Sequence, residues 1–241
     1  MIVFIILIAG ASCISYQYAM GSQGRIPFFY DIILDQTNGL LDICIIVPFV
    51  WLLVTGNPAS YIYRGSLKTS SVIKNIFIVN IICLLCFFAV NLIIYLLLSG
   101  LKNPLINYWI ANNQIYRMSF LPAEACCVSL LLLYIRMTFF TLLSLVINTM
   151  TNSKIYGFAS VVVICIIDWS LYEWFKIYEP MGLLPAEHSR IVYTEGFAPM
   201  IKTDVRISFG STILYWSVLY VIGLFLLIRF RRRNVEVSKN E

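Results

Sequence analysis

From Asn75 to Leu101 the chain carries no charged side chain. A helix rises about 1.5 Å per residue, and the hydrocarbon core of a bilayer is about 30 Å thick. That stretch is therefore long enough to cross a membrane. Water would not tolerate so much contiguous apolar surface, and a run this long, well beyond the about 9–11 residues of a membrane strand, satisfies its backbone amides in lipid as a helix.

The same pattern recurs along the chain. Apolar runs occupy about residues 2–18, 40–54, 76–98, 125–147, 156–175 and 212–228. Sixty per cent of the residues are hydrophobic and 12% are charged, about half the charged share of a soluble domain. No polar stretch is long enough to form a separate soluble unit. The expected architecture is all-α: one polytopic domain over residues 1–241, with six transmembrane helices. The first run starts at the initiator Met with no Lys or Arg before it, so a retained span is expected there, not a signal peptide.

Breaks between the runs have local causes. Gly100 and Pro104 interrupt the chain after the third run. Leu121-Pro122-Ala123-Glu124 reads as a helix start, with Pro in the first turn and an acid near the positive end of the dipole. The same four residues recur at 184–187, which predicts a short helix beginning near Pro185. Pro48 is placed to kink the second run.

With six spans, Arg64, Lys68, Lys74, Lys154, Arg229, Arg231, Arg232, Arg233 and Lys239 share one side. Arg25, Lys102, Arg117, Lys176, Arg190, Lys202 and Arg206 are spread over longer segments on the other. Basic residues concentrate in cytoplasmic loops, so both termini are expected inside a cell membrane. The Arg229–Arg233 cluster serves first as a stop-transfer anchor and second as a contact for lipid headgroups.

Catalytic patterns are missing. The single histidine, His188, lies in a predicted outer loop. There is no H-E-x-x-H, no G-x-S-x-G and no complete P-loop; Arg64-Gly65-Ser66-Leu67-Lys68-Thr69 lacks the second glycine and the spacing. The seven cysteines all sit in or beside apolar runs, where a thiol behaves as a small hydrophobe. The expectation is a chain without enzymatic chemistry, cofactor, metal or nucleic-acid partner.

Two charges fall inside predicted spans. Arg136 sits about 11 residues, or about 16 Å, below the outer face, and Asp168 about 8 residues, or about 12 Å. Their helices are joined by a short turn, so an Arg136–Asp168 pair is expected. A lone charge at mid-bilayer costs at least about 2.5–3.5 kcal/mol. The pair would lock two helices together, or serve a substrate or a gate. Asn80 and Asn91 should face neighbouring helices. Trp109, Trp169, Trp174 and Trp216 fit rings at the outer interface.

The segment Tyr61-Ile62-Tyr63-Arg64-Gly65-Ser66-Leu67-Lys68-Thr69-Ser70-Ser71-Val72-Ile73-Lys74, running into the third span, resembles the small type-2 ABC transporter permeases of Gram-positive bacteria. Those proteins carry arginine, a small residue, serine and a basic residue between spans two and three. The short turn Asn148–Lys154, the long outer segment before the last span and the basic tail fit the same layout. Members usually begin with a basic amphipathic helix, whereas here Met1 opens the first span directly. The family includes permeases for peptide export and for immunity to antimicrobial peptides.

The resemblance implies a homodimer or heterodimer with a second permease in membrane lipid, and a separate ABC ATPase subunit docked on each half. Tyr63, Arg64, Ser66, Leu67 and Lys68 would form the ATPase-coupling loop. The cargo implied is a peptide or an amphiphile. Two rivals predict other behaviour: a non-ABC membrane binding or immunity protein has no ATPase partner, and an ion-coupled secondary carrier depends on a gradient.

Overall fold

A computed structural model describes residues 2–23, 29–38, 69–99, 122–151, 153–173, 187–188 and 208–240. Among the described residues there are six helices and no strand. They are α1 (Ile2–Gln23), α2 (Phe29–Asn38), α3 (Thr69–Ser99), α4 (Pro122–Thr151), α5 (Lys154–Glu173) and α6 (Phe209–Asn240). Three of them contain stretches long and apolar enough to cross a membrane: Ile73–Ser99, Cys126–Thr151 and Gly210–Phe230. The chain is a membrane-embedded helical protein. The apolar stretches of α1 and α5, Ile5–Gln17 and Ile155–Ile167, are shorter. The predicted second run, 40–54, lies outside the described residues.

α4 is the central element. In its candidate span 67% of residues are buried, against 22% in α3 and 17% in α6. α3, α5 and α6 therefore cover α4, and their own outer faces are left to lipid. Leu97 is 73% exposed, Leu214 66% and Val221 66%. In lipid these side chains carry no hydrophobic penalty, because acyl tails are as apolar as they are.

Contacts fix the direction of each helix. On α3 and α4, Asn80 Nδ2 donates to Thr138 Oγ1 at 2.9 Å, while Ile76 clusters with Leu142 and Leu145. Rising numbers on one match falling numbers on the other, so the two are antiparallel. Tyr220 Oη donates to the Ile135 carbonyl at 2.6 Å, Gly223 lies against Leu142, and Leu227 clusters with Val146. α6 is thus parallel to α4. On α1 and α3, Ser12 meets Asn91 and Tyr16 Oη reaches the Leu98 carbonyl, so these two are parallel.

α4 and α5 form a tight antiparallel hairpin. α4 begins at Pro122, as its sequence predicts, and the turn after Thr151 is short. Asn148 Oδ1 accepts from the Gly157 N–H at 2.9 Å, so a side chain of α4 grips the backbone of the first turn of α5. Gly157 is buried at this crossing. A Cβ there would land on Asn148 Oδ1 and the Ser144 carbonyl.

α2 departs from the sequence reading, which assigned no separate helix between the first and second runs. Its buried positions are Phe29, Ile32, Ile33, Gln36 and Thr37, the stripe of an amphipathic helix. Phe29 stacks edge-on between Phe88 and Tyr95 of α3, with ring centroids 5.2 and 5.7 Å away. Gln36, seven positions and about 10 Å further along α2, meets α3 at Asn91, inside the same interval. α2 therefore lies across α3. At its far end Thr37 shares a short hydroxyl contact with Ser129 of α4.

The glycine positions make this packing testable. Gly157→Ala should destabilise the protein by about 1–3 kcal/mol, the usual range for overpacking. Gly10→Ala, where a Cβ meets nothing within 4 Å, should be neutral or slightly stabilising. Thermal unfolding of both variants in one detergent measures the contrast, and equal midpoints would contradict the close α4–α5 approach.

Candidate functional site

Two polar constellations lie inside the bundle. The first joins α1, α2 and α3. Ser12 Oγ lies 2.7 Å from Asn91 Oδ1 and 2.8 Å from the Ile8 carbonyl, so its one proton can go to either. Gln36 Nε2 donates to Asn91 Oδ1 at 2.8 Å and to Ser12 Oγ at 3.3 Å. Asn91 Nδ2 donates to the Phe87 carbonyl at 2.9 Å. The Gln36 amide orientation follows, because turning it would set two carbonyl oxygens against each other. Ser12, Gln36 and Asn91 are fully buried.

Such bonds do in lipid what apolar burial does in water. With no water to satisfy an amide, each group pairs with another helix or remains costly. One helix supplies each member here, so the junction holds three separate segments in register. The Gln36 Oε1 and Ser15 Oγ atoms are buried without a hydrogen-bond partner.

The second constellation runs along α4. Arg136 is 1% exposed and is the largest fully buried side chain among the described residues. Its Cζ lies 5.5 Å from the Phe140 ring centroid, within cation–π range. Nearby, Thr138 accepts from Asn80 and donates to the Tyr134 carbonyl at 2.8 Å. Counting equally along both helices from the Asn148–Gly157 contact, the hairpin register brings Arg136 level with position 169, one residue past Asp168. The side chain of Asp168 lies outside the described ones.

At the opposite end from Asn148, a turn from the long segment before α6 docks on that helix. His188 stacks on Tyr215 at 3.9 Å, its Nδ1 lies 3.4 Å from Thr212 Oγ1, and its carbonyl accepts from Trp216 Nε1 at 3.0 Å. Glu187 and His188 are both buried and form a turn, where a helix starting near Pro185 was expected. The expectation for Trp216 is also corrected. It is only 3% exposed and packs edge-on against Phe139 at 5.5 Å, so it seals the α4–α6 contact and does not sit among headgroups.

Asn80 and Asn91 face neighbouring helices as expected. Tyr63, Arg64, Ser66, Leu67 and Lys68 lie outside the described residues, as do Trp109 and Trp174. Sequence reasoning missed Ser12, Gln36, Thr37 and Ser129. The readable signal was the helical spacing of Phe29, Ile32, Ile33, Gln36 and Thr37. Among the described residues no group of three or more His, Cys, Asp or Glu could hold a metal ion.

No family model, no curated protein and no solved structure matches this chain.

Asn91→Ala should lower stability by about 1–2 kcal/mol, the range for an interhelical polar contact in a membrane. Adding Gln36→Leu should recover part of that loss, because it removes the amide left unsatisfied. Denaturant unfolding of the two single variants and the double variant closes the cycle. Strict additivity would show that the two side chains do not interact.

Proposed function

We propose that the chain is the membrane-spanning permease subunit of an ABC transporter, exporting a peptide or amphiphile with ATP hydrolysed by a separate subunit. The observation that carries this reading is the segment Tyr61–Lys74, whose pattern resembles the coupling region of small type-2 permeases. Helix directions support it. α1 and α3 run the same way, which requires an intervening return, and 40–54 is the apolar stretch available. With 40–54 as that return the proposed layout has six spans, with α4 and α6 running opposite to α3. Lys74 at the start of α3, Lys154 at the start of α5 and Arg229 near the end of the α6 span then share one end of the bundle. Positive charge marks that end as cytoplasmic, and Arg64 and Lys68 precede α3 on the same side.

The mechanism that follows is mechanical. Tyr63, Arg64, Ser66, Leu67 and Lys68 offer charge and an apolar handle to the ATPase. Movement of that segment passes directly into α3, since Thr69, the residue after Lys68, is already the first residue of that helix. α3 in turn is tied to α1 and α2 at Asn91 and to α4 at Asn80. A push at the cytoplasmic end is thus delivered to the polar junction near the other end as one rigid displacement. The family layout implies two such permease halves in one transporter.

A secondary carrier is the second reading, favoured by one observation, the burial of Arg136 within a span. An Arg136–Asp168 pair would serve either reading, as a lock in the first and as part of the transport path in the second.

The test is recovery of partners from the native membrane. Tagged protein should co-purify with a P-loop ATPase, and Arg64→Glu plus Lys68→Glu should reduce that recovery at least about tenfold. Absence of an ATPase, in a detergent that preserves known ABC complexes, would sink the permease reading. Gradient-driven transport lost in Arg136→Gln would then favour the carrier, and neither result would favour a binding or immunity protein.

A further inference from the structure

The contacts of α2 place both of its ends at one level of the bundle. Near its start, Phe29 sits between Phe88 and Tyr95 of α3. Near its end, Gln36 reaches Asn91 of α3 and Thr37 reaches Ser129 of α4. Thr138 of α4 pairs with Asn80 of α3, so counting back to Ser129 along the antiparallel pair arrives opposite position 89. Every one of these contacts falls within positions 88–95 of α3.

That level lies inside the hydrocarbon. The apolar stretch of α3, Ile73–Ser99, has 27 residues and a length of about 40 Å, against about 30 Å for the bilayer core. Centred on that core, it overhangs by about 5 Å at each end. Asn91 is about 12 Å from the Ser99 end, and so about 7 Å below the boundary. α1 passes the same level at Ser12 and continues as helix to Gln23, about 16 Å further. Residues 24–28 join Gln23 to Phe29, and an extended link of that length reaches about 20 Å. The chain thus leaves the hydrocarbon with the end of α1 and is back inside it at the start of α2.

Two features of α2 cannot be met by lipid at that depth. The first N–H groups and the last C=O groups of a helix lack intrahelical partners. A spanning helix leaves them at the headgroups, whereas α2 carries both sets below the boundary. The second feature is register. Phe29, Ile32, Ile33, Gln36 and Thr37 form the buried stripe. At about 100° per residue, positions 31 and 35, both aspartate, fall on the opposite side of the helix. A carboxylate at membrane depth faces protein or water.

We propose that α2 is a re-entrant helix bordering a water-filled vestibule, which dips into the membrane from the end of the bundle opposite Lys74. Backbone that is not part of a span persists at membrane depth where it is buried in protein or lines water, and α2 does both. Its stripe is held by α1, α3 and α4, and the side bearing positions 31 and 35 meets water. The inference holds for a permease, a carrier or a binding protein alike, because it rests on the depth of described helices.

The experiment uses the full chain in lipid nanodiscs, which leave both membrane faces open to solution. Asp31→Cys and Asp35→Cys are compared with Ile93→Cys, at a position of α3 that is 55% exposed, on the side away from Asn91 and nearer the boundary. A charged, membrane-impermeant maleimide is added, and adducts are mapped by mass spectrometry so that native cysteines are scored separately. Positions 31 and 35 should each react at least about tenfold faster than position 93, because the reacting thiolate forms in water and is suppressed in apolar surroundings. Ile33→Cys, on the buried stripe, should be as slow as Ile93→Cys. Gel filtration confirms that each variant is folded. If the aspartate variants fail to fold, a water-soluble carbodiimide with a charged amine should modify Asp31 and Asp35 in the unaltered chain. Slow labelling at either aspartate position overturns the proposal, since protein or lipid then covers that side of α2. Fast labelling at position 93 overturns it by placing this level outside the hydrocarbon, and fast labelling at position 33 overturns it by showing α2 unseated.

Discussion

A guanidinium in hydrocarbon is the constraint from which the arrangement follows. Arg136 lies in the middle of the most central helix, and insertion scales charge about 2.5–3.5 kcal/mol for it there. Lipid cannot meet its hydrogen-bonding needs, so protein must enclose it. α4 is accordingly sheathed by α3, α5 and α6, with Phe140 beneath the charge. The helices that provide this enclosure have only one face to spend on it. Their remaining faces are apolar and turn outwards, which is why α3 and α6 are hydrophobic nearly all round while α4 carries Ser129, Thr138, Thr141, Ser144 and Asn148 in its buried surface. The helix that contributes the most buried polar side chains is thus also the most buried span.

Interhelical order is then a matter of small groups and close approach. Gly157 lets α5 come against Asn148, and Gly223 lets α6 meet Leu142. The Ser12–Gln36–Asn91 junction performs the same task on the other flank with hydrogen bonds. Dispersion contacts in a bilayer have no hydrophobic drive behind them, so such points of close fit and polar pairing decide which helix faces which. The His188 turn closes the end of the α4–α6 contact, where Trp216 would otherwise leave its N–H without an acceptor in an apolar setting.

Much of this was legible in the residues. Uninterrupted apolar length located α1, α3, α4, α5 and α6, and Pro122 marked the start of α4 to the residue. Asn80 and Asn91 were legible as contact points because an amide in a span has few other options. α2 was not legible. Ten residues are too few to stand out by length, and its polar half resembles a loop on composition alone. Trp216 misled for a related reason. Aromatic rings near span ends belong to the headgroup layer only when nothing covers them, and the covering turn comes from residues 187–188, distant in sequence. The proposed coupling segment was read from pattern alone.

The transverse position of α2 bears on how the protein is made. Its buried face touches α1, α3 and α4, yet it leaves the ribosome before two of the three exist. Gln36 cannot find Asn91, and Thr37 cannot find Ser129, until more than fifty further residues have been synthesised. Until then the Phe29, Ile32 and Ile33 stripe of α2 lacks the α3 and α4 surfaces that bury it in the finished fold. Seating α2 is thus a late event in biogenesis, and it sets the earliest moment at which the first third of the chain reaches its final packing.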